Sequence, residues 1–343
     1  MIYLKPQVLA ALDSPGGLQS VLQNAIELEH ATIPTYLYSL YSLGNSNQQI
    51  QSLVLSVVIE EMLHFALACN ILNAIGGAPA IDKPEFIPTY PGPLPGGVES
   101  GLVVHLKRFS LDHVHDTFMA IEEPEHPLNF PVAAAAEQAM TIGQFYSRID
   151  QEIVKAGQGI FTGDRSRQVT SGFPSTELFA VTDVASASKA IDLIKEQGEG
   201  TSTSPLDPEH DLAHYYRFAE IWHGKTLVPV HDPPPGTPDN QKYRYEGNPI
   251  PFDAAGVIPV IDNPKASRYP ASTQAHYLND NFNNTYTNLL RALHLTFNGR
   301  PDRIDSAIAI MHSMRELAME MMTVPFDDEG HAGPSFEYRP VNA

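Results

Sequence analysis

Apolar and polar positions alternate along the first third of the chain with the period of an α-helix. Leu18, Leu22, Ala25, Glu29, Thr32 and Tyr36 recur at steps of four and three, which traces one face of a bundle helix over residues 18–43. The breaker Ser14-Pro15-Gly16-Gly17 precedes this stretch and Gly44-Asn45 ends it. Glu29 is charged where an apolar residue is due, so the pattern turns it into the core. Glu27 lies about 200° further round the helix and points elsewhere. Pro34 has no N–H for the carbonyl of His30 and predicts a kink or bulge one turn after Glu29. A second helix over 47–75 repeats the pattern through Ile50, Val54, Val57, Glu61, His64, Ala68, Ile71 and Ile75, and Gly76-Gly77 closes it. Glu61 and His64 interrupt an otherwise apolar seam.

The next thirty or so residues, rich in proline and glycine, read as a crossover with a strand at Leu102 to Leu106. A short helix over 111–122 is ended by Pro124, and a third bundle helix over 132–156 carries Ile142, Phe145, Ile149 and Ile153. No acid sits centrally on that third face. Residues 157–207 read as an insertion with a strand near Leu178 to Val181, a helix from Ala185 to Glu196 and the turn Gln197-Gly198-Glu199-Gly200. A fourth bundle helix over 208–224 opens with Pro208 and places Asp211, His214, Phe218 and Ile221 on one stripe. A proline-rich lid over 228–274 and two C-terminal helices within 275–325 complete the chain, with Met311, Met314, Met319, Met321 and Met322 read as packing. The expected fold is mainly α, a single elaborated domain over 1–343. It is built on a four-helix bundle with a long crossover, a small α/β insertion and two extra C-terminal helices.

Two strings on this frame carry chemistry. In Glu61-Met62-Leu63-His64 and Asp211-Leu212-Ala213-His214 a carboxylate stands three residues ahead of a histidine, so both side chains leave one helix face. Helix bundles of the ferritin-like type hold two metal ions in this way. An unpaired carboxylate in a bundle core costs several kcal/mol or takes up a proton, so Glu29, Glu61 and Asp211 together need compensating charge. Two metal ions supply it, with the histidines capping them, and iron or manganese suits mixed carboxylate and imidazole ligands better than zinc or magnesium. Asp211 equally fits a first-turn acid favoured by the helix dipole. For the carboxylate that the third helix does not provide, Glu122 is the best candidate, against the alternative of a solvent-facing acid before Pro124. Glu60 is a neighbouring acid that either supports the site or faces another helix. His30, His210 and Glu220 are candidates to hydrogen-bond the ligands, and Tyr36, Tyr146, Tyr215 and Tyr216 to line a pocket or pack in the core.

Composition narrows the partners. A net charge of −19 over 343 residues disfavours DNA, RNA and anionic membranes, each of which needs a basic surface. Cys69 is the only cysteine, so no intramolecular disulfide forms, and its apolar setting makes it a core filler. No basic-then-apolar leader and no run of about 18 apolar residues is present, so a cytoplasmic protein is expected, with a small-molecule substrate and with homo-oligomerisation left open. No phosphate loop, nucleophile elbow or cysteine-based zinc pattern occurs, which leaves hydrolytic and nucleotide-dependent chemistry unsupported.

The strings Glu27-Leu28-Glu29, Thr32-Ile33-Pro34-Thr35-Tyr36-Leu37, Tyr41-Ser42 and Glu60-Glu61-Met62-Leu63-His64, with Asn70 and Gly76-Gly77, resemble the ferritin-like domain family of iminophenyl-pyruvate dimer synthase, the violacein-biosynthesis type. The likeness continues through Ile121-Glu122-Glu123-Pro124, Gln197-Gly198-Glu199-Gly200, His214-Tyr215-Tyr216-Arg217-Phe218, Glu220 and Ala332-Gly333-Pro334. It implies a bundle with a metal centre and oxidative, secondary-metabolic chemistry, which in the namesake couples two imines of an aromatic 2-oxo acid. By that pattern Glu29, Glu61, His64, Glu122 and His214 match the family's acids and histidines. The chain departs from it by lacking the namesake's long N-terminal region and by carrying Asp211 where a glutamate is more usual. The expectation is a non-haem oxidoreductase with two Fe or Mn ions held by Glu29, Glu61, His64, Glu122, Asp211 and His214. Its substrate would be a small aromatic or amino-acid-derived metabolite. The alternatives are a non-catalytic metal-binding or accessory protein, and manganese-catalase-like peroxide disproportionation.

Overall fold

Two long antiparallel helices, α1 (Gly17–Tyr41) and α2 (Gln48–Ala74), form the spine of the protein. The computed structural model describes residues 6–14, 16–95, 102–124, 141–173, 175–201, 204–207, 210–237, 241–328 and 330–340. Gly16 at φ 77° starts α1, and the helix continues through Pro34 to Tyr41. Val21, Leu22, Ala25 and Ile26 of α1 and Val54, Val57, Leu63 and Leu67 of α2 are fully buried. Burying each such side chain contributes about 1.5–3 kcal/mol, which is the main term holding the two helices together.

Three further segments pack on one side of this pair. The first runs from α3 (Leu111–His113) through a π-helical turn (Val114–Phe118) into α4 (Met119–Ile121). The second is α5 (Ile142–Ala156), started by a capping box in which Thr141 and Gln144 satisfy each other's backbone N–H. The third is α6 (Val184–Glu199), started in the same way by Asp183 and Ser186, followed by α7 (His214–His223). On the opposite side lie α8 (Gln274–Phe297) and α9 (Ile304–Met321), the two C-terminal helices that the apolar pattern predicts. The part of the third bundle helix expected at 132–140 lies outside the described residues, as does Pro208.

The strands differ from expectation. Residues 102–106 make only one bridge, Gly92 to Val104, and residues 178–181 join no ladder. Side chains take the place of a partner strand: Gln168 exchanges two 2.7 Å hydrogen bonds with the backbone of Val181, and Asn70 donates to the carbonyls of Val169 and Phe179. Among the described residues the ladders are two short antiparallel pairs, β1 (Val228–Pro229) with β2 (Tyr243–Arg244) and β3 (Pro325–Asp327) with β4 (Gly330–His331). The 228–274 segment ties to the end of α1, with Gly44 donating to Gly256 and Ile258 donating to Ser42, and none of its described residues lines the acid cluster described below.

Asn70 docks the insertion on α2. Fully buried, it also accepts from the N–H of Val169 at 3.0 Å and so satisfies three backbone groups at once. Asn70→Ala leaves those groups unpaired, and a loss of about 2–4 kcal/mol is expected. Urea unfolding midpoints check this, and an unchanged midpoint would show that the insertion docks by other contacts.

One helix, Asn45–Ala74, is long and apolar enough to cross a membrane by length and composition. It is covered on both sides by the other helices and carries Glu60 and Glu61 at its middle.

Candidate metal centre

Glu29, Thr32 and Tyr36, on one stripe of α1, face Glu61 and His64 of α2 across the bundle core. Glu122 enters from the residue after α4, and His214 is the first residue of α7. The π-helical turn precedes Glu122 by one turn of helix; such irregularities shift the phase of a helix and recur at functional sites. Glu122 is not the solvent-facing acid that its place before Pro124 allowed: its side chain is 9% exposed. Glu29, Glu61, His64 and His214 are all buried.

These groups form two half-sites that share one carboxylate. In the first, His64 Nδ1 lies 3.7 Å from Glu29 Oε2 and 4.0 Å from Glu61 Oε1. In the second, His214 Nδ1 lies 2.9 Å from the same Glu61 oxygen and 3.5 Å from Glu122 Oε2. The two imidazoles stack with ring centroids 5.3 Å apart. Each outer acid is held by a tyrosine, Tyr146 donating to Glu29 and Tyr36 to Glu122, while Thr32 donates to Glu61 at 2.8 Å.

The orientation of each histidine is set by what holds its far nitrogen. Gln197, in the last turn of α6, commits its amide nitrogen to Glu177 at 3.0 Å and so presents its oxygen to His64 Nε2 at 2.9 Å. Nε2 of His64 therefore carries the proton, and Nδ1 turns its lone pair to the acids. His214 Nε2 donates to Glu60 at 3.0 Å, and Glu60 is clamped by Arg217 at 2.7 Å. His214 Nδ1 is buried close to Glu61 and Glu122 but makes an aligned hydrogen bond with neither. A buried nitrogen without a hydrogen-bond partner, converging with carboxylate oxygens, has the geometry of a metal ligand. Glu61, His64 and His214 each place a ligand atom within 4.8 Å of the others. The residues fit the group that the sequence implies. Histidine ligands whose second N–H is held by a carboxylate or carbonyl are the usual arrangement at metal sites.

Electrostatics point the same way. Burial, with the carboxylate of Glu61 beside it, holds the Glu29 carboxyl well above its ordinary range. Burial and Glu122 likewise raise Glu61. Burial and the facing His214 depress His64 to about 3, so it stays neutral and able to coordinate. Burial opposes charge on His214, but Glu122, Glu60 and Glu61 outweigh it and lift the imidazole above its usual range. For Glu60 burial is outweighed by His214 and Arg217, which bring it down to about 2 and keep it ionised. A cluster that is strained in charge without a cation is relieved by one.

Asp211 is a correction. Helix α7 begins three residues after it, not before it, because Asp207 and Asp211 tie to each other outside any helix. The Asp207 N–H donates to the Asp211 carbonyl at 2.9 Å, the Asp211 N–H donates to the Asp207 carboxylate at 2.8 Å, and Leu206 bridges Leu212. Asp211 is therefore exposed and off the helical stripe, and the structure does not bring it to the cluster. Glu60, adjacent in sequence to Glu61, is the acid that meets His214. His210 is exposed, Glu220 accepts from the N–H of Leu227, and Tyr215 and Tyr216 pack edge to face on each other. Gln197 was legible only as part of a glycine-rich turn, since nothing local ties it to a histidine 133 residues away. Gln197→Leu frees His64 Nε2, and metal affinity is expected to fall about 10- to 100-fold with the fold retained. Competition against a chromogenic chelator measures this, and unchanged affinity would remove Gln197 from the site.

A model of the ferritin-like family matches residues 22–223, a span that begins in α1, ends with α7 and contains every residue of the cluster. Dichlorochromopyrrolate synthase of Lentzea aerocolonigenes is 28% identical over 330 residues, covering 84% of this chain but 30% of that relative, so the chain spans under a third of its length. The crystal structure of a ferritin-like protein from Caulobacter vibrioides superposes with a TM-score of 0.62 at 22% identity, over 94% of this chain and 97% of that one. The family match covers more than half of the sequence, and this chain belongs to the ferritin-like family.

Proposed function

We propose that this protein is a metal-dependent oxidoreductase that holds two iron or manganese ions between Glu29, Glu61, His64, Glu122 and His214. Its substrate would be a small aromatic or amino-acid-derived metabolite. One observation carries the reading: both histidines have their Nε2 anchored outward, on Gln197 and Glu60, and their Nδ1 turned to a shared, buried carboxylate. When bound, such ions supply one- and two-electron chemistry with dioxygen or peroxide that no side chain provides. The substrate class is suggested by the name of the Lentzea relative alone.

The chain's own residues have definable tasks. Gln197 and Glu60 keep each imidazole in one tautomer and one rotamer. Arg217 keeps Glu60 ionised, so the proton on His214 Nε2 stays there. Tyr146 and Tyr36 each hold a phenolic proton on an outer acid, Glu29 and Glu122, and so fix which oxygen faces the centre. Leu28, Ile121, Ile142 and Ile194 form the apolar part of the wall of a cavity of about 40 Å³ beside the cluster. That space suits a reactant the size of water, dioxygen or peroxide, which also favours peroxide disproportionation as a second reading.

Metal analysis of protein from iron- and manganese-supplemented cultures tests the proposal. About two ions per chain are expected for a dinuclear bundle site; a single zinc, or no metal after reconstitution, would overturn it. Oxygen evolution from hydrogen peroxide by the loaded protein separates the second reading from the first.

A further inference from the structure

The faces of α1 and α2 turned away from the acid cluster border a second, much larger space. Leu28, Glu29, Thr32, Glu61 and His64 line the metal side, whereas Leu37, Met62, Phe65, Leu290, Phe297 and Met314 are among the residues lining a cavity of about 650 Å³ beneath α8 and α9. Protein interiors are close-packed, with few voids larger than a water molecule. A space of this size with apolar walls and a few polar groups has the dimensions of a small-molecule site. Solvent reaches it past Leu55 and Met319, which are 44% and 43% exposed.

Two polar features give the cavity a direction. His30, 5% exposed, closes the inner end, packed at a tilt on Phe86, stacked on Tyr286 and hydrogen-bonded through Nε2 to the Tyr286 hydroxyl at 2.9 Å. At the other end stands Arg315, exposed and one turn along α9 from His312. Arg315 is the only Asp, Glu, Lys or Arg among the described lining residues, in a chain with 40 acids and 21 bases. No carboxylate of the described residues lies within ion-pair distance of it. From His30 to Tyr41, the α1 residues bounding the two ends, eleven helical steps span about 16 Å.

We propose that this cavity binds an amphipathic carboxylic acid with an extended apolar tail. The carboxylate pairs with Arg315 at the mouth and the tail runs between α1, α2, α8 and α9 toward His30. The site is separate from the metal centre, being on the opposite faces of the same two helices, and α8 and α9 that roof it lie outside the family match.

Dodecanoate and dodecan-1-ol are suitable probes, followed by the methyl resonances of methionine-labelled wild-type protein. Four of the nine methionines, Met62, Met311, Met314 and Met319, line the cavity, whereas Met119 belongs to α4. Dodecanoate should shift those four saturably and leave Met119 in place. Arg315→Gln, an exposed position, should weaken dodecanoate about threefold, the size of a partly exposed ion pair, and leave dodecan-1-ol unchanged. The absence of a saturable shift at the four methyls, or equal shifts at Met119, would overturn the site. Equal weakening of acid and alcohol would overturn the carboxylate assignment. Metal content plays no part in either readout.

Discussion

Glu61→Gln should strip the protein of metal while leaving it folded, and should make the metal-free protein no less stable than the metal-free wild type. Glu61 Oε1 is the one oxygen near both histidines, 2.9 Å from His214 Nδ1 and 4.0 Å from His64 Nδ1, so neutralising it weakens both half-sites together. The expected loss of affinity is at least about 100-fold, the upper end of what even supporting residues contribute at metal sites. Stability moves in the other direction because the ionised form of this buried carboxyl is disfavoured by burial and by Glu122. The amide keeps the shape of the side chain and an oxygen for the hydroxyl of Thr32. Metal analysis and thermal melts of the chelator-treated proteins at pH 8 separate the two effects. Retained metal, or a large fall in the metal-free melting temperature, would mean that Glu61 is a structural polar residue.

The second large effect is on the pH dependence of the gap in melting temperature between metal-loaded and metal-free protein, which should widen as the pH rises above the ordinary carboxyl range. Glu29 and Glu61 have folded-state values above the ordinary 4.5, so the metal-free fold must ionise buried carboxyls as the pH rises and loses stability through that window. His214, raised above its ordinary 6.5, contributes stability that is present below that value and is lost as the pH rises through its folded-state value. On the acid side the signs reverse. His64, lowered to about 3, and Glu60, lowered to about 2, make the metal-free fold lose stability as the pH falls below 6.5 and 4.5 respectively. A bound cation removes the alkaline penalty, because it pairs with the same carboxylates and competes with their protons. A gap that stays constant or narrows with pH would show that these acids do not bind the metal.

The shared oxygen of Glu61 links these two expectations. A pair of half-sites needs a group within reach of both histidines, and Glu61 of α2 is that group, 2.9 Å from His214 Nδ1 and 4.0 Å from His64 Nδ1. Tyr36 and Tyr146 then give the two half-sites the same construction, a histidine facing inward and an acid held by a phenol.

Glu29, Glu61 and His64 could be found in the sequence because each breaks an apolar helical stripe, and a charge at such a position needs a partner inside the fold. Helix periodicity also located α1, α2, α8 and α9, whose long apolar faces leave little choice of register. Periodicity failed where the chain is irregular. The Asp207 carboxylate captures the N–H of Asp211, a local hydrogen bond that competes with helix formation, and α7 starts at His214. Asp211 lost its place on the stripe by that shift. Strands at 102–106 and 178–181 were expected from β-favouring residues, but their backbone groups pair with a single bridge or with Asn70 and Gln168.

What the sequence by itself determined is the helical spine and the three charged residues buried in it, since these follow from spacing along one helix. Only the tertiary structure decided that Glu122 turns inward, that Glu60 and Gln197 orient the histidines, and that α8 and α9 roof a second cavity. Those contacts join residues 86, 133, 154 and 256 positions apart, and no local pattern encodes which helix faces meet. The physical reason is that burial rewards any apolar face equally, whereas the direction of an imidazole is set by a hydrogen-bond partner supplied from another part of the chain.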